Sequence, residues 1–511
     1  MRTRRLLLCL VWCASLVWSV IAPVSHAARA SKPSGDYWPT DIWLSTAPEE
    51  QGMDSTLLAE MLAFALEEQV NLDSVTVIRN GYVVTDAYFY PFNQGDRHNL
   101  YSVTKSFTAT LVGIAIDQGY IADVDVPLVE FFPAREIANL DAAKRAITLR
   151  DLLTMSAGLT CDDADFFTLG QMRRSPDFVQ FMLDLPMSDT PGTRFNYCNG
   201  VSHLLSAIVQ EATGQPLLAY AEQNLFGPLG ITRPLWSQDP QGYTTGWSDL
   251  QLTPHDMARL GYLYLRSGQW DDEQIVSADW VTAATTAQLS TGQGGGYGYQ
   301  WWVPSDRMYM AAGYQGQYIF VVPSLDLVVV FTSSLGIDAG QYPFLLLEQY
   351  IIPAGESDEP LPPNPGALVR LNNLTLASAS PVPPLPPVAH TISGKVLLLD
   401  DNLLDWRSLT LIFETGAEEA LLIVNGGALV PVGLGGASRV TPARQVGGPA
   451  TNEAVLQGRW VDEQTFVLEY NLLIGTDGYQ LEMVFSPDGS ATITIYSRGS
   501  GQVETVIALV Q

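Results

Sequence analysis

The residues whose types and spacing most directly indicate chemistry are Ser102 and Lys105. They open the segment 101–116, in which apolar side chains such as Phe107 and Leu111 recur at helical spacing. Because residues three apart share a helix face, the Lys105 amine can reach the Ser102 oxygen. A serine hydroxyl beside a partly desolvated amine is the arrangement that nucleophilic catalysis needs. The alternative is that Ser102 only caps the helix while Lys105 extends into solvent.

Tyr197 and Asn199 form a second candidate motif, which follows a turn at Pro191 and Gly192. A tyrosine on such a loop could present its phenol to Ser102. As a phenolate stabilised by Lys105, it would take the serine proton and later return it to the leaving group. The simpler interpretation is a packed tyrosine beside an asparagine that caps the next helix.

The third candidate motif is Gly313-Tyr314-Gln315-Gly316, between two strand-like runs. Glycines let a strand edge approach a substrate closely. The backbone N–H of Tyr314 could then join that of Ser102 as an oxyanion hole. A bulged hairpin is the competing interpretation. Together the three motifs predict a serine hydrolase.

The elements that would position these motifs indicate an α/β catalytic domain. Strand-like runs occur at both ends of it, and helical patterns dominate from about 120 to 290. This order predicts a central antiparallel sheet that takes strands from both ends, flanked by helices, with a helical subdomain between. The strand runs are 74–79, 82–90, 297–303, 308–310, 317–322 and 327–332.

Composition divides the chain into four parts. We predict a signal peptide over 1–30, a catalytic domain over 31–352, a proline-rich linker over 353–389 and a C-terminal domain over 390–511. The proline content predicts an extended, stiff linker. Alternating apolar and polar residues predict a small antiparallel β-domain after it, and it contains no catalytic motif.

The first 30 residues predict export to the periplasm or the extracellular space. Arg2 and Arg4 precede the apolar stretch 6–24, and small residues then allow cleavage near Ala27–Ala30. An uncleaved membrane anchor is the alternative, and no later segment is apolar and long enough to span a bilayer.

The positions of the cysteines also bear on the predicted export. Signal removal takes Cys9 and Cys13 with it and leaves Cys161 and Cys198. In an oxidising compartment these two are candidates for a disulfide that links two loops near the site, and two separate thiols are the alternative.

The formal net charge of −28 argues against nucleic acid or an anionic membrane as a partner. The predicted serine chemistry implies no metal or cofactor. The acidic run beginning at Cys161 lacks the spacing of a Ca²⁺ loop and is interpreted as an acidic loop at the cleft mouth. A Ser-His-Asp triad through His98 or His255 has no acid that the sequence places to complete it, and a surface or capping histidine is the favoured interpretation.

In this order, the motifs resemble the penicillin-recognising serine hydrolases. The Tyr-x-Asn form at 197–199 is similar to the class C β-lactamase branch. The 313–317 motif is most similar to the 6-aminohexanoate-dimer hydrolase and esterase branch. Further resemblance covers about residues 45–350, in the segments 148–159, 191–200, 213–231 and 252–270.

The resemblance implies a β-lactamase/transpeptidase-like fold with Ser102 as nucleophile and Lys105 with Tyr197 as the base system. Asn199 would hold Lys105 or contact the substrate amide, and the amides of Ser102 and Tyr314 would bind the oxyanion. No cofactor is implied.

The chain departs from the family pattern in its third motif. Penicillin-binding members usually carry a lysine or histidine two residues before the glycine, and this chain has Ala311 there. The change favours an ester or amide without a carboxylate. A β-lactamase or D-Ala-D-Ala peptidase remains the alternative, as does a catalytically idle envelope binding protein.

Overall fold

The computed structural model describes most of the chain after residue 36. The described residues are 37–89, 92–161, 163, 166–292, 294–335, 339–375, 382–434, 439–448, 453–472, 478–486, 488–497 and 502–510. The predicted signal peptide therefore lies outside the described residues. Among the helices described, none is long and apolar enough to cross a membrane.

Among the described residues, the central sheet has eight strands in the order β2-β1-β13-β12-β11-β10-β9-β8, and the assigned pairs are antiparallel. Small ladders join β3, β5 and β4, and β6 and β7. The strands are β1 Leu72–Arg79, β2 Tyr82–Tyr88, β3 His98–Asn99, β4 Leu235–Trp236, β5 Leu250–Leu252, β6 Gln269–Trp270, β7 Glu273–Gln274, β8 Leu289–Ser290, β9 Gly296–Tyr297, β10 Trp302–Ser305, β11 Met308–Gly313, β12 Gln317–Val322 and β13 Leu327–Ser333.

The sheet confirms the prediction that early and late strands combine. Strand β1 lies between β2 and β13, with Val77 opposite Val329. Asn80 and Gly81 both have positive φ, at 52° and 83°, as the tight hairpin turn between β1 and β2 requires. The single strand predicted over 297–303 is wrong, because β9 and β10 are separate strands there.

Helices cover both faces of the sheet and fill the middle of the chain. They are α1 Ser55–Glu67, α2 Thr104–Asp117, α3 Ala142–Arg145, α4 Leu149–Leu153, α5 Phe167–Arg174, α6 Phe178–Asp184, α7 Asn199–Thr213, α8 Leu217–Ala221, α9 Gly227–Leu229, α10 Pro254–Leu265, α11 Ala278–Ala284, α12 Tyr342–Leu346, α13 Ile352–Ala354, α14 Pro365–Thr375 and α15 Pro387–Ile392. Wider π-type turns continue α8 into α9 and α12 into α13. Short 3-10 helices occur at Pro48–Gln51, Tyr101–Val103, Leu128–Phe131, Tyr314–Gly316, Pro323–Leu325 and Ala443–Val446.

Two apolar cores hold the catalytic part together. One packs α2, α7 and α10 against a sheet face that includes Ile319 and Val328. The other packs α1, α12 to α14 and the opposite face, which includes Phe320 and Val329. Alternating residues of a strand point to opposite faces, so a sheet covered on both sides needs both sets to be apolar.

The C-terminal part is a separate antiparallel β-domain with its own core. The part of this domain that the structure describes forms ten strands in the order β17-β16-β15-β14-β23-β22-β21-β20-β19-β18, and a parallel pairing joins β17 to β19. The strands are β14 Val396–Leu399, β15 Ser408–Ile412, β16 Glu419–Val424, β17 Val430–Gly433, β18 Arg439–Pro442, β19 Glu453–Trp460, β20 Thr465–Leu472, β21 Gly478–Phe485, β22 Ala491–Ser497 and β23 Val503–Val510.

The prediction of an extended linker over 353–389 is wrong for part of that stretch. Residues Pro365–Thr375 form α14, which packs against α1 and β2. Its Leu371 is 2% exposed and belongs to the core on that face. Ala389 in turn is fully buried in the C-terminal core. Proline at the first position of α14 starts the helix rather than preventing it.

Replacement of Leu371 by alanine tests whether α14 is part of the catalytic core. We expect Leu371→Ala to lower the free energy of unfolding by about 2–5 kcal/mol, because it leaves a cavity between α14 and α1. Val369→Ala, in the same helix but 59% exposed, is the control and should change it by less than about 0.5 kcal/mol. Urea unfolding followed by tryptophan fluorescence measures both. Equal effects from the two variants would contradict the docking of α14.

Candidate active site

Ser102 and Lys105 meet at the start of α2. A 3-10 turn at Tyr101–Val103 leads directly into the helix, which places Ser102 at its N-terminal end and Lys105 one turn later. Lys105 Nζ lies 2.8 Å from Ser102 Oγ. Tyr101, immediately before the serine, has a φ of 46°, an unfavourable conformation for a bulky residue. Its phenol donates to Gln315 Oε1 at 2.9 Å and helps to hold this geometry.

The Lys105 amine is enclosed by oxygen atoms. The residue is 1% exposed. Besides Ser102 Oγ, Nζ lies 2.8 Å from Asn199 Oδ1 and 3.0 Å from the backbone oxygen of Trp247. A buried ammonium group has three donors, and these three oxygens accept all of them. The alternative interpretation, a lysine extending into solvent, is therefore wrong.

Burial lowers the pKa of Lys105 to about 7. Desolvation is the largest cause because it disfavours the charged form of an amine. The carboxylates of Asp163 and Asp249 act in the opposite direction and limit the decrease. At neutral pH a substantial fraction of the amine is thus unprotonated and able to accept a proton.

Tyr197 lies against the same amine. Its ring centroid is 5.0 Å from Lys105 Nζ, and its side chain hydrogen-bonds that of Ser102. Trp302 stacks on the Tyr197 ring, with the ring centroids 5.8 Å apart. Burial raises the pKa of Tyr197 above its ordinary value, while the hydrogen bond with Ser102 opposes the increase. The phenolate expected from the sequence is therefore disfavoured, and the phenol stays protonated at neutral pH.

The sequence suggested that Asn199 caps α7, and this interpretation is wrong. Cys198 occupies the cap position, and Asn199 is the first residue of the helix. Its side chain points to Lys105 through Oδ1 and to Asp163 through Nδ2, which lies 3.0 Å from Asp163 Oδ2. Asn199 thus joins the amine to a buried carboxylate.

A disulfide links Cys161 and Cys198, the pair considered from the sequence, with their Cα atoms 6.0 Å apart. It connects the segment that carries Asp163 to the segment that carries Tyr197 and Asn199. The described residues bring Cys161, Asp163 and Cys198 close enough to suggest a metal site. Because both sulfur atoms are bonded to each other, neither is a thiolate ligand, and Asp163 is occupied by Asn199.

The third motif forms the edge of β11 beside Ser102. A Cβ atom on Gly313 would collide with the backbone oxygen of Leu100 and lie 3.3 Å from the Ser102 nitrogen. Only glycine permits this approach. Tyr314–Gly316 then makes a 3-10 turn in which Gln315 has a φ of 59°. The turn is held by Ser333, whose hydroxyl shares its one hydrogen between the backbone oxygens of Gln315 and Gly316, at 2.7 and 2.8 Å.

The other candidates from the sequence have structural roles. His98 is buried against Asp73, with 3.4 Å between Nδ1 and Oδ2, so it is not a surface residue. His255 pairs with Asp86 at 2.9 Å. Both histidines therefore pair with carboxylates, whereas Ser102 contacts Lys105.

The structure also differs from the acidic loop that the sequence predicts at the cleft mouth. Asp163 is 7% exposed, so the prediction is wrong for this residue, and Asp162 and Asp165 lie outside the described residues. The contact between Asp163 and Asn199 was not predicted from the sequence. A Cys161–Cys198 bridge was the available signal, because it brings the segments that carry these two residues together. The role of Trp247 was also not predicted, because this residue contributes only a backbone oxygen and so leaves no sequence signal.

Comparison with known proteins agrees with this geometry. A β-lactamase family model matches residues 55–342, more than half of the chain. The chain belongs to the β-lactamase family. The family match and the hydrolase relatives described below confirm the prediction that the protein is a serine hydrolase.

The β-lactamase-family chain is similar to several named hydrolases. It is 26% identical over 290 residues to a 6-aminohexanoate-dimer hydrolase of Paenarthrobacter ureafaciens, covering 52% of this chain and 74% of that one. It is 28% identical over 178 residues to esterase EstB of Burkholderia gladioli, covering 32% and 45% of the two chains.

Among solved structures, a Bacillus anthracis protein described as a candidate 6-aminohexanoate-dimer hydrolase aligns with a TM-score of 0.52 at 20% identity. The alignment covers 63% of this chain and 89% of that one. At this identity the likeness shows the fold alone, and that fold matches the prediction.

Removal of the disulfide is expected to destabilise the site region. The bridge closes a loop with a sequence separation of 37, so the double variant Cys161→Ser, Cys198→Ser should lose about 2–4 kcal/mol of unfolding free energy. Denaturant unfolding with and without dithiothreitol measures this. Reductant should lower the stability of the unchanged protein and leave the double variant unaffected. The same reductant sensitivity in both would contradict this prediction.

Proposed function

We propose that this protein is an exported serine hydrolase that cleaves a small ester or amide through an acyl-enzyme on Ser102. The observation that carries the proposal is the 2.8 Å contact between Ser102 Oγ and the buried Lys105 amine, whose pKa is lowered to about 7. The names of the relatives, a 6-aminohexanoate-dimer hydrolase and an esterase, support this substrate class.

Lys105 is the proposed general base. A neutral amine has two N–H donors and one lone pair. The oxygens of Asn199 and Trp247 can only accept hydrogen bonds, so they take the two N–H groups. The lone pair is left facing the Ser102 hydroxyl, which is the contact that can donate to it.

The reaction then runs in two halves. Lys105 takes the Ser102 proton as Oγ attacks the substrate carbonyl carbon and a tetrahedral oxyanion forms. The proton passes through the Tyr197 phenol to the leaving alcohol or amine, and the bond from carbonyl carbon to leaving group breaks. A water molecule, deprotonated by the same groups, attacks the acyl-enzyme and releases the acid and free Ser102. The backbone N–H groups of Ser102 and Tyr314 are the proposed oxyanion hole.

The substrate is proposed to lack a carboxylate next to the scissile bond. Ala311 is 1% exposed and replaces the cation that carboxylate-binding members of the family carry at this position. An anion at this position would lose the charge partner that this cation supplies in those members, so β-lactam and D-Ala-D-Ala substrates are disfavoured.

Export is proposed from two independent features. The pattern of residues 1–30 is typical of a signal peptide. The Cys161–Cys198 disulfide suits an oxidising compartment such as the periplasm or the extracellular space.

Replacement of Ser102 tests the proposed function. We expect Ser102→Ala to abolish labelling by a fluorophosphonate and to lower p-nitrophenyl acetate turnover by about 10³-fold or more, because the attacking oxygen is lost. The unchanged protein should hydrolyse the ester but not nitrocefin. Mass spectrometry locates the adduct, and Ser188→Ala, at an exposed serine, is the control that should remain fully active.

Two outcomes would redirect the proposal. Nitrocefin hydrolysis at rates comparable to the ester would indicate a β-lactamase. Failure of the unchanged protein to react with any of the three reagents would favour a catalytically idle binding protein.

The pH dependence of kcat/KM tests the role of Lys105. A protonated amine cannot accept the serine proton, so the rate should fall about tenfold per pH unit below a pKa near 7 and reach a plateau above it. Burial keeps the Tyr197 phenol protonated, so no second decline is expected up to about pH 9. Lys105→Arg, which remains protonated, should lose about 10²–10⁴-fold at all pH values. A rate that is independent of pH between 5 and 8 would contradict this assignment.

A further inference from the structure

Asp163 is a buried carboxylate to which the sequence motifs assign no role. Its side chain lies in the loop before α5. Oδ2 accepts hydrogen bonds from the Asn199 backbone N–H at 2.7 Å and from Asn199 Nδ2 at 3.0 Å. Oδ1 accepts from the Leu169 N–H at 2.8 Å. Three donors therefore converge on this carboxylate, and two of them belong to Asn199.

These contacts decide the orientation of the Asn199 amide. An ionised carboxylate only accepts hydrogen bonds, so the NH2 end of the amide must face Asp163. The oxygen end then faces Lys105, at 2.8 Å from Nζ. With the amide reversed, its oxygen would face the carboxylate, and two acceptors in contact repel each other. Its NH2 group would then face the amine, which in its protonated form has no lone pair to accept a hydrogen bond.

The orientation matters for proton transfer. With the oxygen toward Lys105, Asn199 occupies one N–H of the neutral amine and leaves the lone pair for Ser102. With the NH2 group toward Lys105, Asn199 would donate into that lone pair and compete with the serine hydroxyl.

We propose that Asp163 is a positioning residue of the hydrolase reaction, which fixes the Asn199 amide so that its oxygen faces Lys105. The inference rests on the proposed function and deepens it. The disulfide supports it, because Cys161 precedes Asp163 by two residues and Cys198 precedes Asn199 by one, so a covalent bond holds the two partners together.

The charge of Asp163 has a second effect that can be measured. It raises the pKa of Lys105 against the larger effect of burial. The other groups that face the amine are Asp249, which acts in the same direction and lies 4.0 Å from Arg173, and the Tyr197 phenol. Removing the Asp163 charge should therefore lower the Lys105 pKa further.

Asp163→Asn is the first test. We expect kcat to fall about tenfold or more because the amide loses its fixed orientation, with KM little changed because Asp163 does not touch the substrate. The acidic limb of kcat/KM should move to lower pH. Asp177→Asn is the matched control. This carboxylate also accepts a helix N–H, from Gln180 at 2.9 Å, and it pairs with Arg135, but it does not contact Asn199.

A double-variant cycle separates positioning from a general loss of structure. In an Asn199→Ala background there is no amide to orient, so Asp163→Asn should lower kcat little further. A loss of the same factor in both backgrounds would overturn the proposal.

Asp163→Ser is a second uncharged variant, for use if Asp163→Asn does not fold. We expect the same decrease in kcat and the same shift of the acidic limb of kcat/KM to lower pH. A folded variant of either kind with unchanged kcat and pH profile would overturn the role of Asp163. That result differs from failure of the proposed function, in which the unchanged protein itself shows no Ser102-dependent ester turnover.

Discussion

The site depends on one physical constraint, the burial of the Lys105 amine. Taking an amine out of water is unfavourable unless its hydrogen-bonding groups find partners. Here the partners come from three separate parts of the chain: Ser102 before α2, Asn199 at the start of α7 and the backbone of Trp247 before β5. The same contacts that make burial tolerable therefore fix the positions of the nucleophile and the asparagine. Desolvation of the amine has two effects: it is unfavourable for the stability of the fold, and it lowers the pKa of the amine into the neutral range.

Much of the fold was predictable because local signals specify it. Asn-Gly is a common hairpin signal, and Asn80-Gly81 makes the turn between β1 and β2. Thr148 and Asp151 form a capping box, and Thr253 with Pro254 begins α10, which are also recognisable local patterns. These features depend on backbone conformation within a few residues. The helix α14 and the break within 297–303 could not be predicted in this way, because packing against distant strands and helices decides them.

The same division applies to the site. Helical spacing alone places Lys105 beside Ser102, and the motif around Tyr197 and Asn199 is recognisable by resemblance. The protonation state of Tyr197 depends on burial, which raises the pKa of the phenol and which one sequence does not report. Asp163 looked like part of an exposed acidic run until the fold placed it under Asn199. Residues that act through a backbone atom or through another side chain leave little trace in residue type.

The docking of α14 means that the region matched by the family model and the folding unit end at different residues. The family match stops at residue 342, yet the apolar face of α1 is covered by a helix that extends to Thr375. A fragment cut at the family boundary would expose that face to water, where it would favour association between molecules. The shortest soluble version of the catalytic region should therefore include the whole of α14.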